Sequence, residues 1–153
     1  WSGRLRAAHS GAAHRRVRRH KTHMRVGWNS WSVDVSDEWT VTDHPECLTL
    51  ELSNEAALQF SSARKGSGDV TDEDLQGFVK ENWGSILQAR CGEFKGLVVH
   101  YTEDGSEWWR WFLRNKNTVL FVTYNGGPEA VESELTAVLG VLATAKPETP
   151  SEA

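Results

Sequence analysis

Ser106-Glu107-Trp108-Trp109-Arg110-Trp111-Phe112-Leu113-Arg114-Asn115-Lys116-Asn117-Thr118-Val119-Leu120-Phe121-Val122-Thr123-Tyr124 is the stretch that decides the fold. Two runs rich in aromatic and β-branched residues flank a short polar segment containing Asn, the pattern of a long β-hairpin. In a strand, Trp109, Trp111 and Leu113 share one face, and Trp108, Arg110 and Phe112 share the other. Both faces are apolar or aromatic, so both need cover, and the hairpin is expected at the centre of a sheet sandwiched between other layers. Trp109 and Trp111 are expected in the core. Trp108 and Arg110 form the side on which recognition of a partner is expected.

Upstream of the hairpin, Phe94 to Thr102 alternates as a strand, and Glu103-Asp104-Gly105 carries a strong hairpin-turn signal. Before that, Thr71-Asp72-Glu73-Asp74 opens a helix, with Thr71 as N-cap and Asp74 in the capping-box position. Leu75, Phe78, Val79, Trp83, Ile86 and Leu87 recur at helical spacing, which predicts a helix of about five turns, with Gly92 as its left-handed stop. The first half of the chain reads as a meander of four strands: Trp31 to Val35, Trp39 to Thr42, Cys47 to Leu52 and Ala57 to Ser62. Downstream, Asn125-Gly126-Gly127 ends the hairpin. Pro128 starts a last helix with Val131, Leu135, Val138, Leu139 and Leu142 as its apolar stripe. The predicted order is four strands, helix, three strands, helix. This is an α+β fold with an antiparallel sheet of six or seven strands and helices packed on its faces.

The chain has 153 residues, 39% hydrophobic and 25% charged, enough for one domain with a sizeable core. Residues 1–23 hold seven Lys/Arg and no acid, with few large apolar residues. Such a stretch cannot offset its ordering entropy and is expected to be a disordered basic extension, read as non-native sequence ahead of Met24. The domain is assigned to residues 24–146, and 147–153 to a C-terminal tail. From residue 24 onward, ten Lys/Arg stand against 21 Asp/Glu, a net charge of −11. An acidic body argues against nucleic acid and for a partner with a basic surface. Cys47 and Cys91 make neither a disulfide framework nor a CxxC motif, and no run of about 18 apolar residues is present. The expectations are a cytoplasmic location, no membrane span and no cofactor.

Catalytic and metal signals are weak. His44 and Cys47, with Asp43 and Glu46, lie three residues apart around Pro45 without a second ligand pair, so a metal site is not expected. His100 reads as a hydrogen-bonded strand residue rather than a general base. Asn125-Gly126-Gly127-Pro128 lacks the Lys and Ser/Thr of a phosphate-binding loop and the spacing of a dinucleotide fingerprint.

The opening Trp31-Ser-Val-Asp-Val-Ser-Asp-Glu-Trp39, the string Val70-Thr-Asp-Glu-Asp-Leu75 before the first helix, the three following strands and the closing helix Val131 to Ala145 together resemble the PsbP-like superfamily. That superfamily includes the Mog-type Ran-binding proteins and the Eag-type chaperones of secretion effectors. The likeness spans about Trp28 to Lys146 and departs from the family at its opening turn, Asp37-Glu38-Trp39. It implies an antiparallel sheet with helices on its faces and a non-enzymatic protein-binding role, and it transfers no binding residue by position. The expected function is therefore that of an adaptor, effector chaperone or immunity-type protein. The candidate binding residues are Trp108, Arg110, Glu103, Asp104 and Trp28. The alternative is a small-ligand binder or enzyme with a Trp-lined pocket.

Overall fold

Large apolar residues fall on both faces along Trp108 to Tyr124, with Trp111 and Leu113 on one and Phe112 and Val119 on the other, and the consequence is a seven-stranded antiparallel sheet with a core on each face. The computed structural model describes residues 22–149. In chain order the strands are β1 (His23–Trp28), β2 (Trp31–Ser36), β3 (Thr40–Asp43), β4 (Leu48–Glu51) and β5 (Ala56–Arg64). After helix α1 (Asp72–Gln76) come β6 (Leu87–Cys91), β7 (Phe94–Glu103), β8 (Ser106–Asn115) and β9 (Thr118–Gly126). Helix α2 (Pro128–Leu142) and the short β10 (Lys146–Pro147) complete the chain. The large sheet runs β3-β4-β5-β9-β8-β7-β6, and β1-β2-β10 form a small second sheet.

The β8–β9 hairpin is central in the large sheet, with β5 on one flank and β7 on the other. One core lies on the face carrying Trp111, Leu113, Leu120, Val122 and Tyr124, which is covered by α2 and the small sheet. Trp31 of β2 stacks on Phe60 of β5, with ring centroids 4.8 Å apart, and joins the two sheets. The second core is smaller: Leu97, Val99, Phe112 and Val119 on the opposite face are covered by Val70, Leu75 and Trp83.

Several local expectations are corrected. The predicted four-strand meander is divided: β2 pairs with β1 and β10 in the small sheet, and only β3, β4 and β5 continue into the large one. The five-turn helix stops after Gln76, and only a 3-10 turn, Glu81–Trp83, follows. Gly77 closes α1, Gly84 takes φ 91°, and Leu87–Cys91, expected to be helical, pairs with the otherwise open edge of β7 instead. Pairing with an open sheet edge satisfies backbone groups over a whole strand, and this outweighs local helical periodicity. Gly92, at φ 61°, therefore shapes the β6–β7 turn rather than a helix end.

The sheet also gains strands at both ends of the chain. The segment His23–Trp28 forms a strand that pairs with β2, Val26 opposite Val33 and Trp28 opposite Trp31. Of the expected extension over residues 1–23, positions 1–21 lie outside the described residues, whereas the Thr22 carbonyl accepts the Asp37 amide and His23 begins β1. Pro147 and Glu148, expected in a tail, are tied to the small sheet. Pro147 sits opposite Trp31, the Glu148 amide donates to the Ser30 carbonyl at 3.1 Å, and Ser32 Oγ donates to Glu148 Oε2 at 2.6 Å.

Other local readings hold as chemistry. The Thr71 side chain accepts from the Asp74 amide and the Asp74 carboxylate accepts from the Thr71 amide, a complete capping box. Pro128 opens α2, which buries Val131, Val138 and Leu142 against the sheet. No helix among the described residues is long and apolar enough to cross a membrane.

Candidate functional site

Residues directly opposite one another on neighbouring strands point to the same face, so the register places Val99, Arg110, Thr123, Gln59 and Thr49 in one row across β7, β8, β9, β5 and β4. The next row holds Tyr101, Trp108, Asn125 and Ala57. The connection from α1 to β6 covers this face only as far as Trp83. Beyond it, Tyr101, Trp108, Arg110, Thr123, Asn125 and Gln59 are all half-buried.

Within this open part of the sheet, four side chains form a ladder. The Arg110 guanidinium carbon lies 4.6 Å from the Trp83 ring centroid and 4.8 Å from that of Trp108, and its Nε donates to Tyr101 Oη at 2.8 Å. Trp83 and Tyr101 stack at 5.4 Å with planes 5° apart, and Tyr101 and Trp108 lie 6.2 Å apart and 4° from parallel. Among the described residues no carboxylate forms an ion pair with Arg110. Its charge is held by ring faces and one hydroxyl, which fixes its orientation while leaving its outer nitrogens for a ligand.

Of the residues singled out from sequence, Trp108 and Arg110 are thus brought together. Glu103 and Asp104 are exposed at the β7–β8 turn next to them, where Asp104 (φ 53°) and Gly105 (φ 82°) both take the left-handed conformation. Trp28 is elsewhere: it is buried in the α2-side core beside Trp31, with ring centroids 6.4 Å apart, and does not reach the ladder. Trp83 and Tyr101 were not singled out as site residues. Trp83 reads as one position in a helical stripe and Tyr101 as one in a strand, and only the register places their rings against Arg110.

Trp111 is buried as expected, whereas Trp109 is only half-buried. Trp109 stacks on His100 at 4.1 Å, and His100 Nε2 lies 3.0 Å from Glu107 Oε1. His100 is accordingly a partnered strand residue on the opposite face from Arg110. Cys47 Sγ lies 3.9 Å from Thr49 Oγ1, and the His44 amide donates to the Cys47 carbonyl, closing the Pro45 turn. Cys91 is buried, and desolvation pushes its thiol up to about 11, which leaves it protonated and unreactive at neutral pH. Among the described residues no three His, Cys, Asp or Glu side chains converge as metal ligands.

Neither a protein-family model nor a curated protein matches the sequence. Among solved structures, a crystal structure of a protein from Bacteroides thetaiotaomicron VPI-5482 at 1.50 Å resolution is similar, with a TM-score of 0.59 and 14% identity over 80% of this chain. This chain covers 46% of that one, less than half of its length. At that identity the likeness is one of fold alone.

Proposed function

We propose that this chain is a non-catalytic binding domain that recognises a protein partner through the Trp108–Arg110–Tyr101 side of its sheet. The reading is carried by the half-buried Arg110 guanidinium, held between two Trp rings and paired with no carboxylate among the described residues. Trp, Tyr and Arg are the side chains over-represented at the energetic centres of protein interfaces. Rings and guanidinium already locked in place lose little freedom on binding. The exposed Glu103 and Asp104 beside the ladder, within a domain of net charge −11, favour a partner whose surface around the contact is basic. Kinship with the PsbP-like superfamily belongs to the same proposal, with the antiparallel sheet and the helices packed on it as its support, and so does a cytoplasmic setting, with the unpaired Cys47 and Cys91 as its support.

A photo-crosslinking residue placed at Trp108 and another at the exposed Leu139 of α2 test this in cell extract. A protein captured specifically from position 108, and lost on Arg110→Ala in a variant of unchanged melting temperature, supports the reading. Identical capture from both positions, or capture indifferent to Arg110→Ala, removes it.

A further inference from the structure

On the same sheet face, but at its opposite end from Trp108, three cations stand directly opposite one another on adjacent strands: Arg90 of β6, Lys95 of β7 and Arg114 of β8. Directly opposed like charges on neighbouring strands repel, since their β-carbons lie only about 5 Å apart. Such a row is unexpected in a domain with ten cations and 21 acids, where neutral or acidic residues were freely at hand. One carboxylate answers the three. Arg114 Nε donates to Asp72 Oδ1 at 2.7 Å, and this hydrogen bond, more than the charges of Arg114 and Lys95, holds the Asp72 carboxyl below the usual carboxylate range. Among the described residues Arg90 and Lys95 form no ion pair.

The row lines a pocket of ≈ 400 Å³ bounded by Asp72, Gln88, Ala89, Arg90, Lys95, Gly96 and Arg114. That volume lies in the usual range of small-molecule sites, roughly 300–1,000 Å³. Gly96 lines the pocket without a side chain, and a β-carbon there would run into the Phe112 carbonyl and the Leu75 side chain.

We infer that this pocket is a binding site for a small ligand bearing a phosphoryl group, with Arg90, Lys95 and Arg114 as its donors. After Asp72 is counted, the pocket retains two uncompensated positive charges. A phosphoryl group carries nearly two negative charges and three acceptor oxygens, matching both the charge and the three cationic side chains that line the pocket. A carboxylate, with one charge and two oxygens, would leave one cation still repelled. The site is independent of the Arg110 ladder and of the protein-binding reading.

Isothermal titration calorimetry of the full chain with sodium pyrophosphate, against sodium chloride at matched ionic strength and against sodium citrate, tests the assignment. The expected result is saturable binding of pyrophosphate that falls about tenfold or more in Arg90→Gln and in Lys95→Gln, as loss of a charge-assisted hydrogen bond does. Lys116→Gln, in the β8–β9 turn outside the row, should bind like the parent protein. The basic residues before Met24 are intact in every variant, so a loss confined to Arg90 and Lys95 maps to the pocket. Because Arg90 and Lys95 are exposed, both variants should fold, and relief of repulsion should leave their melting temperatures no lower than the parent's. Absence of saturable binding, equal affinity in Arg90→Gln and Lys95→Gln, or citrate binding as tightly as pyrophosphate would each overturn the assignment.

Discussion

Trp83 and Arg110 meet face to face at 4.6 Å, and this contact ties the connection after α1 to the centre of the sheet. Trp83 has two tasks at once. It seals the smaller core beside Leu75 and Phe112, and its outer surface supports the guanidinium. Trp83→Ala should therefore cost about 3–5 kcal/mol in urea unfolding, as for a buried aromatic truncation. Arg110→Ala should cost less. A double-mutant cycle with Trp83→Leu and Arg110→Ala should return a coupling of about 0.5–2 kcal/mol, the range for a partly desolvated cation–ring pair. A coupling within error of zero would mean that the ladder does not hold in solution.

Tyr124 Oη donates to Glu134 Oε1 at 3.1 Å, and Ser53 Oγ donates to Oε2 at 2.6 Å, so a carboxylate from α2 is accommodated against the sheet. Tyr124→Phe strands half of that carboxylate and should destabilise the protein by about 1–3 kcal/mol. Tyr124→Phe combined with Glu134→Leu removes donor and acceptor together and should recover part of the loss. Chemical denaturation of the two variants side by side checks this, and a double variant less stable than Tyr124→Phe alone contradicts it.

Alkaline sensitivity follows from two buried acids. Burial raises the Cys91 thiol from 9.0 to about 11, and burial, followed by the charge of Glu134, its hydrogen bond and Glu107, raises the Tyr124 phenol above its ordinary 10.0. The folded state holds both protons more tightly than the unfolded chain. Their contribution is complete below about pH 9 and is lost as pH rises, first through the thiol between 9 and about 11 and then through the phenol. For the thiol the loss approaches about 3 kcal/mol. Urea midpoints measured from pH 8 upward should fall with a shallower slope in Cys91→Ala than in the parent. Parallel slopes would place the sensitivity elsewhere.

Gly92 sits at φ 61°, where a β-carbon would meet the Ala145 carbonyl and amide, and the neighbouring Glu93 amide donates to that carbonyl at 2.8 Å. The β6–β7 turn is thereby docked on the chain just after α2. Gly92→Ala combines a left-handed conformation with a backbone collision, so a loss above about 2 kcal/mol is expected. Asp104→Gly, also at a left-handed position but with no such neighbour, should be neutral or slightly stabilising in the same thermal melt.

The sequence by itself determined the central hairpin, the existence of strands between Trp31 and Ser62 though not the pairing of the first of them, which lies in the small sheet and not in one meander with the others, the Thr71 capping box and the α2 stripe. Each depends on nearest-neighbour patterning that a chain displays locally. It also determined that each face of the hairpin carries a core, since Trp111 and Phe112 are adjacent and point opposite ways. Only the tertiary structure decided that Leu87–Cys91 is a strand, because an apolar residue every three or four positions reads as helix until an open sheet edge competes for the backbone. The pairing of Lys146–Pro147 with β2 leaves no local signal for a similar reason: two residues show no period. Both candidate sites were half-legible. Trp108 and Arg110 could be picked out as neighbours on one strand face, whereas Tyr101 and Trp83, and the row of Arg90, Lys95 and Arg114, come together only through cross-strand register and the return of the chain over the sheet. Register is a long-range property, fixed by which strands pair and by the turns between them, and no local pattern encodes it.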